Sequence, residues 1–294
     1  MRLLCPVCRS ETRVEAVCAE CGHKLRLTAG IVRAIAADRH PHFEKFLCDY
    51  MKIRRAEGRG SPDPAYYRSL PFQEGQWKIR AVTYRYLESR LLPERTLDIL
   101  DIGAGNGWLS NRLAQKGHRP VAVDIFTDGL DGLGAARHYS MSFPLVEAEF
   151  DRLPFVGRQF DWVIFNCSLH YSTNYRRTLE EALRCLRPQG QIVVLDSPVY
   201  KRQEHGELMR EERHQQFEKM YGFRSDSIPS IEFLWEALLP ELARDLRIQW
   251  QIRRPWYGWA WHLRPWKARL KRQRPPSRFW VLVGQAVSPA KTFT

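Results

Sequence analysis

An alternation of apolar runs, acids and glycines between residues 97 and 124 constrains the fold of this chain more than any other feature. One apolar run carries Asp101 near its end, and a second ends at Asp124. Three glycines follow the first run at alternate positions: Gly103, Gly105 and Gly107. Glycine allows positive φ and close approach to a ligand, and an acid ending the second strand can accept hydrogen bonds from both ribose hydroxyls of a nucleoside. The pattern predicts two parallel strands joined through a glycine turn and a helix, with a site for an adenosine-containing cofactor.

The details of the turn exclude two common nucleotide-binding loops. A dinucleotide-binding turn ends in a small residue that lets helix and strand pack closely, and Trp108 is too bulky for that position. A phosphate-binding P-loop is excluded because no Gly-Lys-Ser/Thr follows the glycines. The remaining pattern, D-x-G-x-G-x-G, resembles motif I of class I S-adenosylmethionine-dependent methyltransferases. The resemblance implies S-adenosylmethionine as the cofactor, with the loop backbone against its methionine and ribose and Asp101 orienting the methionine amino group.

The resemblance continues in the same order along the chain. Residues 147–155, EAEFDRLPF, resemble the family's D-A-x-x-L-P-F segment, residues 160–166 its fourth strand, and residues 186–195 the entry to its fifth, with Gln189 replacing a usual glycine. By position, Glu149 would accept from the adenine amino group, the Phe150 N–H would meet a ring nitrogen, and Asn166 would lie beside the reacting methyl. The cofactor-binding residues that the resemblance implies are Asp101, Gly103, Ala104, Gly105, Gly107, Asp124, Ile125, Glu149, Phe150 and Asn166.

The expected fold is therefore α/β, with a Rossmann-like, mostly parallel sheet of seven strands and helices on both faces. Residues 95–200 resemble the type-11 branch of the family. Residues 247–254 and 278–284 have the alternation of an antiparallel pair and would supply strands six and seven. We expect a methyltransferase domain over residues 93–294, with insertions at 200–228 and 255–277.

Two C-x-x-C knuckles lie nine residues apart near the N-terminus, formed by Cys5, Cys8, Cys18 and Cys21. Two such knuckles can hold one Zn²⁺ through four thiolates, and a segment this short would depend on the metal for its fold. Disulfides and a redox pair are the alternatives, and a redox pair does not explain two knuckles. Residues 1–36 are predicted to form a small structural zinc ribbon. Some rRNA methyltransferases carry an N-terminal zinc module before the same fold, with a different ligand spacing.

Residues 37–92 are predicted to be a mostly helical connector, broken by a Gly/Pro-rich loop at 58–64. An aromatic cluster that includes Tyr66, Tyr67 and Trp77 precedes a helix predicted at 78–91. In the resembled fold this segment often covers the cofactor as a lid, although it could equally pack its aromatic face on the sheet edge. The sequence shows no secretory h-region and no apolar run of 18 residues, so a cytoplasmic location is expected, with peripheral membrane attachment left open.

The methyl acceptor is less constrained. His170, in the loop after the fourth strand, is a candidate general base, although a loop histidine is as often a packing residue. The same loop has no Asn/Asp-Pro-Pro-Tyr/Phe element, typical of DNA amino-methyltransferases, and no Pro-Cys pair before Cys167 for a covalent cytosine mechanism. These absences favour a small or lipid-like organic acceptor over a nucleobase.

The C-terminal part is basic and rich in tryptophan. The whole chain has 46 Lys and Arg against 33 Asp and Glu, and residues 247–280 hold ten Arg or Lys and no acid. This segment could bind RNA, rest on an anionic membrane, or pack on its own domain, and its prolines argue against one long amphipathic helix. RNA methylation is the main alternative function, and an inactive cofactor-binding partner subunit is a third.

Overall fold

The computed structural model describes residues 1–287 and is built around one twisted sheet of nine strands. The strands of the chain are β1 (Leu3–Leu4), β2 (Glu11–Thr12), β3 (Arg26–Thr28), β4 (Ile31–Arg33), β5 (Asp98–Ile102), β6 (Arg119–Asp124), β7 (Leu145–Glu147), β8 (Phe160–Asn166), β9 (Leu186–Leu195), β10 (Pro198–Tyr200), β11 (Leu234–Trp235), β12 (Ile248–Arg253), β13 (Arg278–Phe279) and β14 (Val281–Ala286). The large sheet has the order β12-β14-β9-β8-β5-β6-β7-β4-β3.

Seven of these strands form the sheet that the sequence predicts. Strands β5 to β9 pair in parallel, and β14 lies antiparallel between β9 and β12. The central strands are buried on both faces: Ile99, Leu100 and Ile102 of β5 are inaccessible to solvent. Such strands need helices on both sides, which the remaining elements supply. The predicted class I methyltransferase topology is confirmed, and the end of the predicted domain, 288–294, lies outside the described residues.

The helices are α1 (His40–Ala56), α2 (Pro64–Ser69), α3 (Trp77–Arg90), α4 (Trp108–Gln115), α5 (Tyr175–Cys185), α6 (Gln203–Tyr221), α7 (Leu238–Leu246), α8 (Trp259–His262) and α9 (Arg264–Leu270). Helices α1 to α3 make the predicted helical connector. Its aromatic cluster packs against the domain: Tyr67 and Trp77 are buried in one core cluster with Trp108, the first residue of α4. A dinucleotide-binding fold has a small residue at this position, through which helix and strand pack closely. Here Trp108 makes an aromatic contact at that position instead. None of the helices in residues 1–287 is long and apolar enough to cross a membrane.

The cysteine-containing module joins the large sheet. Strand β4 pairs in parallel with β7, and β3 pairs antiparallel with β4, so the sheet gains two strands at its β7 edge. The first knuckle is also attached to the domain, because Leu4 N–H donates to the Pro154 carbonyl at 2.9 Å and the Arg152 guanidinium donates to the carbonyl oxygens of Pro6 and Val7. The predicted ribbon at 1–36 is thus continuous with the domain that follows it.

The two predicted insertions both follow β9 along the chain, and the end of the first packs on α1, where Ile228 joins Ile35 and Phe43 in a small core cluster. The first contains α6, and the second, between β12 and β13, contains α8 and α9. Beside them, β10 pairs with β11 and β13 in a separate three-stranded sheet. Pro265 occupies the first turn of α9, where its missing N–H removes no helical hydrogen bond. The prolines at 255, 275 and 276 lie outside the helices. Three of the four prolines therefore bound this helical segment, and Pro265 lies within it at the start of α9.

Candidate cofactor site

A cavity of about 990 Å³, including its open mouth, lies at the carboxyl ends of β5, β6 and β8. This is the edge of an open parallel sheet where ligands bind. Six of the residues predicted from the sequence line it: Gly103, Gly105, Asp124, Ile125, Glu149 and Phe150.

The glycine turn and Asp124 form the floor of the cavity. The Asp124 carboxylate accepts hydrogen bonds from the Gly105 N–H at 2.7 Å and from the Phe126 N–H at 2.8 Å. Gly105 has φ +56°, and a Cβ on it would meet no atom within 4 Å because it would point into open space. Gly103 has φ +72°, and a Cβ there would come within 2.3 Å of the Ser168 Cβ. The first glycine is required by packing, whereas the second keeps space open for a ligand.

Asp101 lies behind the turn and is fully buried. Its Oδ2 accepts from the Ser110 hydroxyl at 2.8 Å, and its Oδ1 has no hydrogen-bond partner within residues 1–287. Burial, with a smaller contribution from the charge of Asp124, raises the pKa of Asp101 to about 7. Burial likewise raises the pKa of Asp124 to about 6. A buried and a half-buried carboxylate with spare acceptor capacity suit a cationic ligand that carries hydroxyl groups, and S-adenosylmethionine has both features.

Glu149 lies at another part of the cavity wall, beside Phe150. Arg39, which the sequence did not single out, forms a bidentate ion pair with it: the Nη2–Oε2 distance is 2.7 Å and the Nε–Oε1 distance is 3.1 Å. The carboxylate of Glu149 is buried, while the guanidinium is partly exposed. Arg39 thus fixes the orientation of the carboxylate predicted to meet the adenine amino group.

Helix α1 forms an aromatic wall over the opening through Phe43, Phe46 and Tyr50. These residues are spaced by three and four, so they share one helix face. The Tyr50 ring meets Phe126 edge-on at 5.3 Å and Tyr171 at 6.4 Å between ring centroids. Of the predicted connector and lid region, α1 covers the cavity, whereas α2 and α3 contribute to the core.

The other predicted site residues lie around the cavity without lining it. Gly107 has φ +78° and forms the N-cap of α4, and Ala104 is buried in the turn. Asn166 is buried at the end of β8, with its Oδ1 unpaired among the described residues. The lining residues that the sequence did not indicate come from distant segments, and include Cys167, Ser168, Tyr171, Thr178, Ile228 and Ser230.

His170 lines a different cavity, of about 680 Å³, together with Arg213, Arg264 and Arg274. Its ring is buried, and Nδ1 lies 3.3 Å from the Ser197 hydroxyl. Burial, followed by the positive charge of Arg213, lowers the pKa of His170 to about 3. The side chain next to it, Tyr171, is the one that reaches the cofactor cavity.

The four knuckle cysteines form one cluster. Their Sγ atoms all lie within 4.8 Å of one another, and the Cys5–Cys21 and Cys8–Cys18 pairs are each 3.5 Å apart. Four sulfurs bound tetrahedrally at about 2.3 Å from Zn²⁺ would be about 3.8 Å apart. The donor set and its spacing fit a closed, four-thiolate zinc site with no position for a substrate.

Comparison with known proteins agrees with this geometry. The sequence model of the family described as "Methyltransferase domain" matches residues 100–194, which run from β5 to β9. This stretch of the chain is similar to a methyltransferase domain. The matched residues of that domain include the glycine turn, Asp124 and Glu149.

Curated relatives match this chain over stretches of similar length. A demethylmenaquinone methyltransferase from Clavibacter sepedonicus is 36% identical over 99 residues, covering 33% of this chain and 40% of the relative. A malonyl-[acyl-carrier protein] O-methyltransferase from Buchnera aphidicola is 29% identical over 115 residues, covering 39% and 45%. This chain thus spans less than half the length of these relatives.

Solved structures share the fold of the methyltransferase domain. A chain from the complex between the Haloferax volcanii Trm112 methyltransferase activator and the putative methyltransferase has a TM-score of 0.52 and 21% identity, covering 70% of this chain and 90% of that one. An S-adenosylmethionine-dependent methyltransferase from Mesorhizobium loti has a TM-score of 0.51 and 15% identity, covering 69% and 97%.

Proposed function

We propose that this protein transfers the methyl group of S-adenosylmethionine to a small or lipid-like organic acceptor. The observation that carries the proposal is the pair of carboxylates, buried Asp101 and half-buried Asp124, on either side of a left-handed glycine turn at the open end of a parallel sheet. In this proposal Asp124 binds the ribose hydroxyls, the free Oδ1 of Asp101 binds the methionine ammonium, and Glu149, further along the cavity wall, binds adenine.

The cofactor, when bound, supplies a methyl group on a positively charged sulfur and its own leaving group. The protein has to hold acceptor and methyl in line, and such alignment is worth about 7–11 kcal/mol when complete. The aromatic wall of α1 and the Tyr171 ring would exclude water from this position. A cavity wall with this apolar character supports an organic acceptor, and the names of two relatives, which act on demethylmenaquinone and on malonyl-acyl carrier protein, agree with that class.

RNA methylation is the second candidate. It is favoured by the ten Arg and Lys without acids in residues 247–280, since such segments neutralise phosphates. An inactive cofactor-binding subunit would keep the cofactor site but transfer no methyl group.

We also propose that the cysteine cluster holds a structural Zn²⁺. The metal would fix β1 to β4 and would take no part in methyl transfer, because the four thiolates complete its coordination.

The experiment is transfer of radiolabelled methyl from S-adenosylmethionine into a cell extract that is then separated into RNA, protein and organic-soluble fractions. We expect label in the organic fraction with the wild type and with Glu94→Ala, an exposed acid before β5, and none with Asp124→Ala. Label in RNA would establish the second candidate instead. No label in any fraction, with cofactor binding intact by calorimetry, would indicate the inactive subunit.

His170 is tested in the same assay through His170→Asn. General bases contribute about 10²–10⁴-fold to such reactions, but a base of pKa about 3 has little capacity to take a proton at neutral pH. We expect the labelling rate of the variant to stay within about threefold of wild type. A loss of about 10²-fold or more would establish His170 as the base that the sequence predicts.

A further inference from the structure

An apolar stripe on the α8–α9 segment faces solvent. The two helices meet at Leu263, whose N–H donates to the Trp259 carbonyl and whose own carbonyl accepts from the Lys267 N–H. Leu263 itself has right-handed helical dihedrals, so residues 259–270 follow one helical path that bends little at the junction. At about 100° per residue, four large apolar side chains fall within about 60° of arc. These are Trp259, Leu263, Trp266 and Leu270, with exposed fractions of 75%, 48%, 73% and 82%.

The opposite side of the same helical path is attached to the domain. The Trp261 ring stacks on Phe279 at 5.3 Å between centroids, and the Arg264 guanidinium lies over the Trp261 ring and donates to the Ser277 carbonyl. Just before the helices, the Tyr257 hydroxyl lies 3.0 Å from the Thr83 hydroxyl, which donates to Asp196 Oδ1 at 2.6 Å. The orientation of the stripe is therefore set by the fold, and its exposure does not come from a loosely attached loop.

Positive charge surrounds the stripe. Lys267 and Arg269 lie on its two sides along the helix, and Lys271 and Arg272 follow its end, all exposed. The neighbouring acids pair with other arginines: Glu212 with Arg274 and Glu236 with Arg278. An outward apolar row rich in tryptophan, bordered by Lys and Arg, has the composition of segments that lie in the interface of anionic bilayers.

We propose that the α8–α9 stripe docks this protein on the surface of an anionic lipid bilayer. The exposed side chains of Leu263 and Leu270 favour a bilayer over RNA as the partner. Bases stack on aromatic rings, whereas exposed aliphatic side chains contribute little to a single strand of RNA but become buried at the acyl boundary of a membrane. The hydrogen bond between Tyr257 and Thr83, which in turn donates to Asp196, connects the stripe to the residue that directly follows β9 at the carboxyl edge of the sheet. Docking would therefore bring the bilayer to the edge at which the cofactor cavity opens. The inference concerns binding alone and does not depend on the acceptor.

The test is flotation of the full-length protein with vesicles of phosphatidylglycerol and phosphatidylcholine, and with vesicles of phosphatidylcholine alone. We expect the wild type to float with the anionic vesicles and to remain unbound with the neutral ones. The Trp266→Ala/Leu270→Ala variant should need about tenfold more lipid or fail to float, and Lys267→Glu/Arg269→Glu should behave similarly. The matched control is Leu208→Ala/Met220→Ala, which removes comparably exposed apolar side chains from α6 and should float like the wild type.

Three results would overturn the inference. The wild type could fail to float with anionic vesicles, or the stripe variant could float as well as the wild type. The wild type could also ignore vesicles and bind a single-stranded RNA oligonucleotide that the stripe variant does not bind, which would assign the surface to nucleic acid. Unchanged thermal unfolding and cofactor affinity in the variants exclude misfolding. Wild-type flotation without any methyl transfer would retain this inference and reject the proposed function.

Discussion

At the scale of single residues, the cofactor site places two carboxylates in poorly solvated surroundings. Asp101 is fully buried on one side of the glycine turn and Asp124 is half-buried on the other, and the charge of Asp124 adds to the cost of ionising Asp101. Ionised carboxylates in such surroundings destabilise a fold when no cation is near them, and raised carboxyl pKa values of this kind are characteristic of functional sites. A bound cation near them would relieve this cost, so cofactor binding and fold stability should be linked through these two side chains.

Asp101→Asn should change how stability depends on pH. The folded protein holds the Asp101 proton up to about pH 7, whereas the unfolded chain releases it near pH 3.9. The contribution of this group to stability is therefore fully present below about pH 4 and is lost as pH rises through about 7, by up to about 4 kcal/mol. Without cofactor, we expect the Tm of the variant minus the Tm of the wild type to be larger at pH 8 than at pH 4.5. An equal Tm difference at both pH values would show that Asp101 ionises normally.

Gly105→Ala should weaken cofactor binding, with a loss of stability no larger than that of a matched control. The new methyl group would point into the cavity, and the left-handed backbone costs about 1–2 kcal/mol with any Cβ. Gly117→Ala is the matched control, because Gly117 also has positive φ and open space around its Cβ but lies outside the cavity. By calorimetry, we expect the Kd for S-adenosylmethionine to rise about tenfold or more for Gly105→Ala alone. Similar affinities in the two variants would place the cofactor elsewhere.

The acids and glycines of the site could be predicted because their chemistry is specific and their spacing is local. Arg39 could not, since its partner Glu149 lies 110 residues further along the chain. Tyr171 reaches the cavity while its neighbour His170 points to another one, and the short irregular loop after β8 gives no periodicity from which to tell the two apart.

At the scale of elements, α1 is the part of the connector that covers the cofactor cavity. The sequence predicts helices and a lid there, and it directs attention to the aromatic cluster around Tyr67 and Trp77. That cluster is core, because Trp108 opens α4 and needs aromatic partners. The face of α1 that covers the cavity has the spacing of Phe43, Phe46 and Tyr50, which a search for helical periodicity could have found.

Asp131→Ala should loosen α1 from the cavity. Asp131 lies in the loop after β6, and its buried carboxylate forms a bidentate ion pair with Arg54 of α1. Removing one partner of a buried pair leaves the other charge uncompensated, at a cost of about 3 kcal/mol, or a Tm lower by roughly 8 °C. We expect weaker cofactor binding as well, measured by calorimetry.

The control for this prediction is Glu74→Ala, which breaks the exposed Lys78–Glu74 pair. Exposed pairs contribute at most about 1 kcal/mol, so its Tm and cofactor affinity should match those of the wild type. A normal cofactor affinity for Asp131→Ala, despite a lower Tm, would mean that α1 is not part of the binding site.

At the scale of the whole molecule, the cysteine module and the methyltransferase domain share one sheet. The sequence predicts the knuckles but not this continuity, because β4 and β7 lie more than a hundred residues apart and parallel pairing over such a distance has no local signal. As a consequence, the cysteine module is attached directly to the segment that leads to Glu149. Strand β4 is hydrogen-bonded to β7, and the Ala34 N–H continues the contact by donating to the carbonyl of Glu147, two residues before Glu149.

Removal of the metal should therefore affect both stability and cofactor binding. Without Zn²⁺, the short strands β1 to β4 bury too little apolar surface to stay folded, and their loss would expose the β7 edge beside the adenine end of the cavity. We expect chelation, or Cys18→Ser/Cys21→Ser, to lower the Tm and to raise the Kd for S-adenosylmethionine, with one calorimetric unfolding transition in the metal-bound protein.

Cys48→Ser, which removes an exposed thiol on α1 outside the cluster, is the control. If the chelated protein kept its cofactor affinity while losing the metal, the module would be an independent unit whose contact with β7 does not shape the site. If metal and cofactor affinity were lost together, the metal would stabilise the segment that carries Glu149, although it does not contact the substrate.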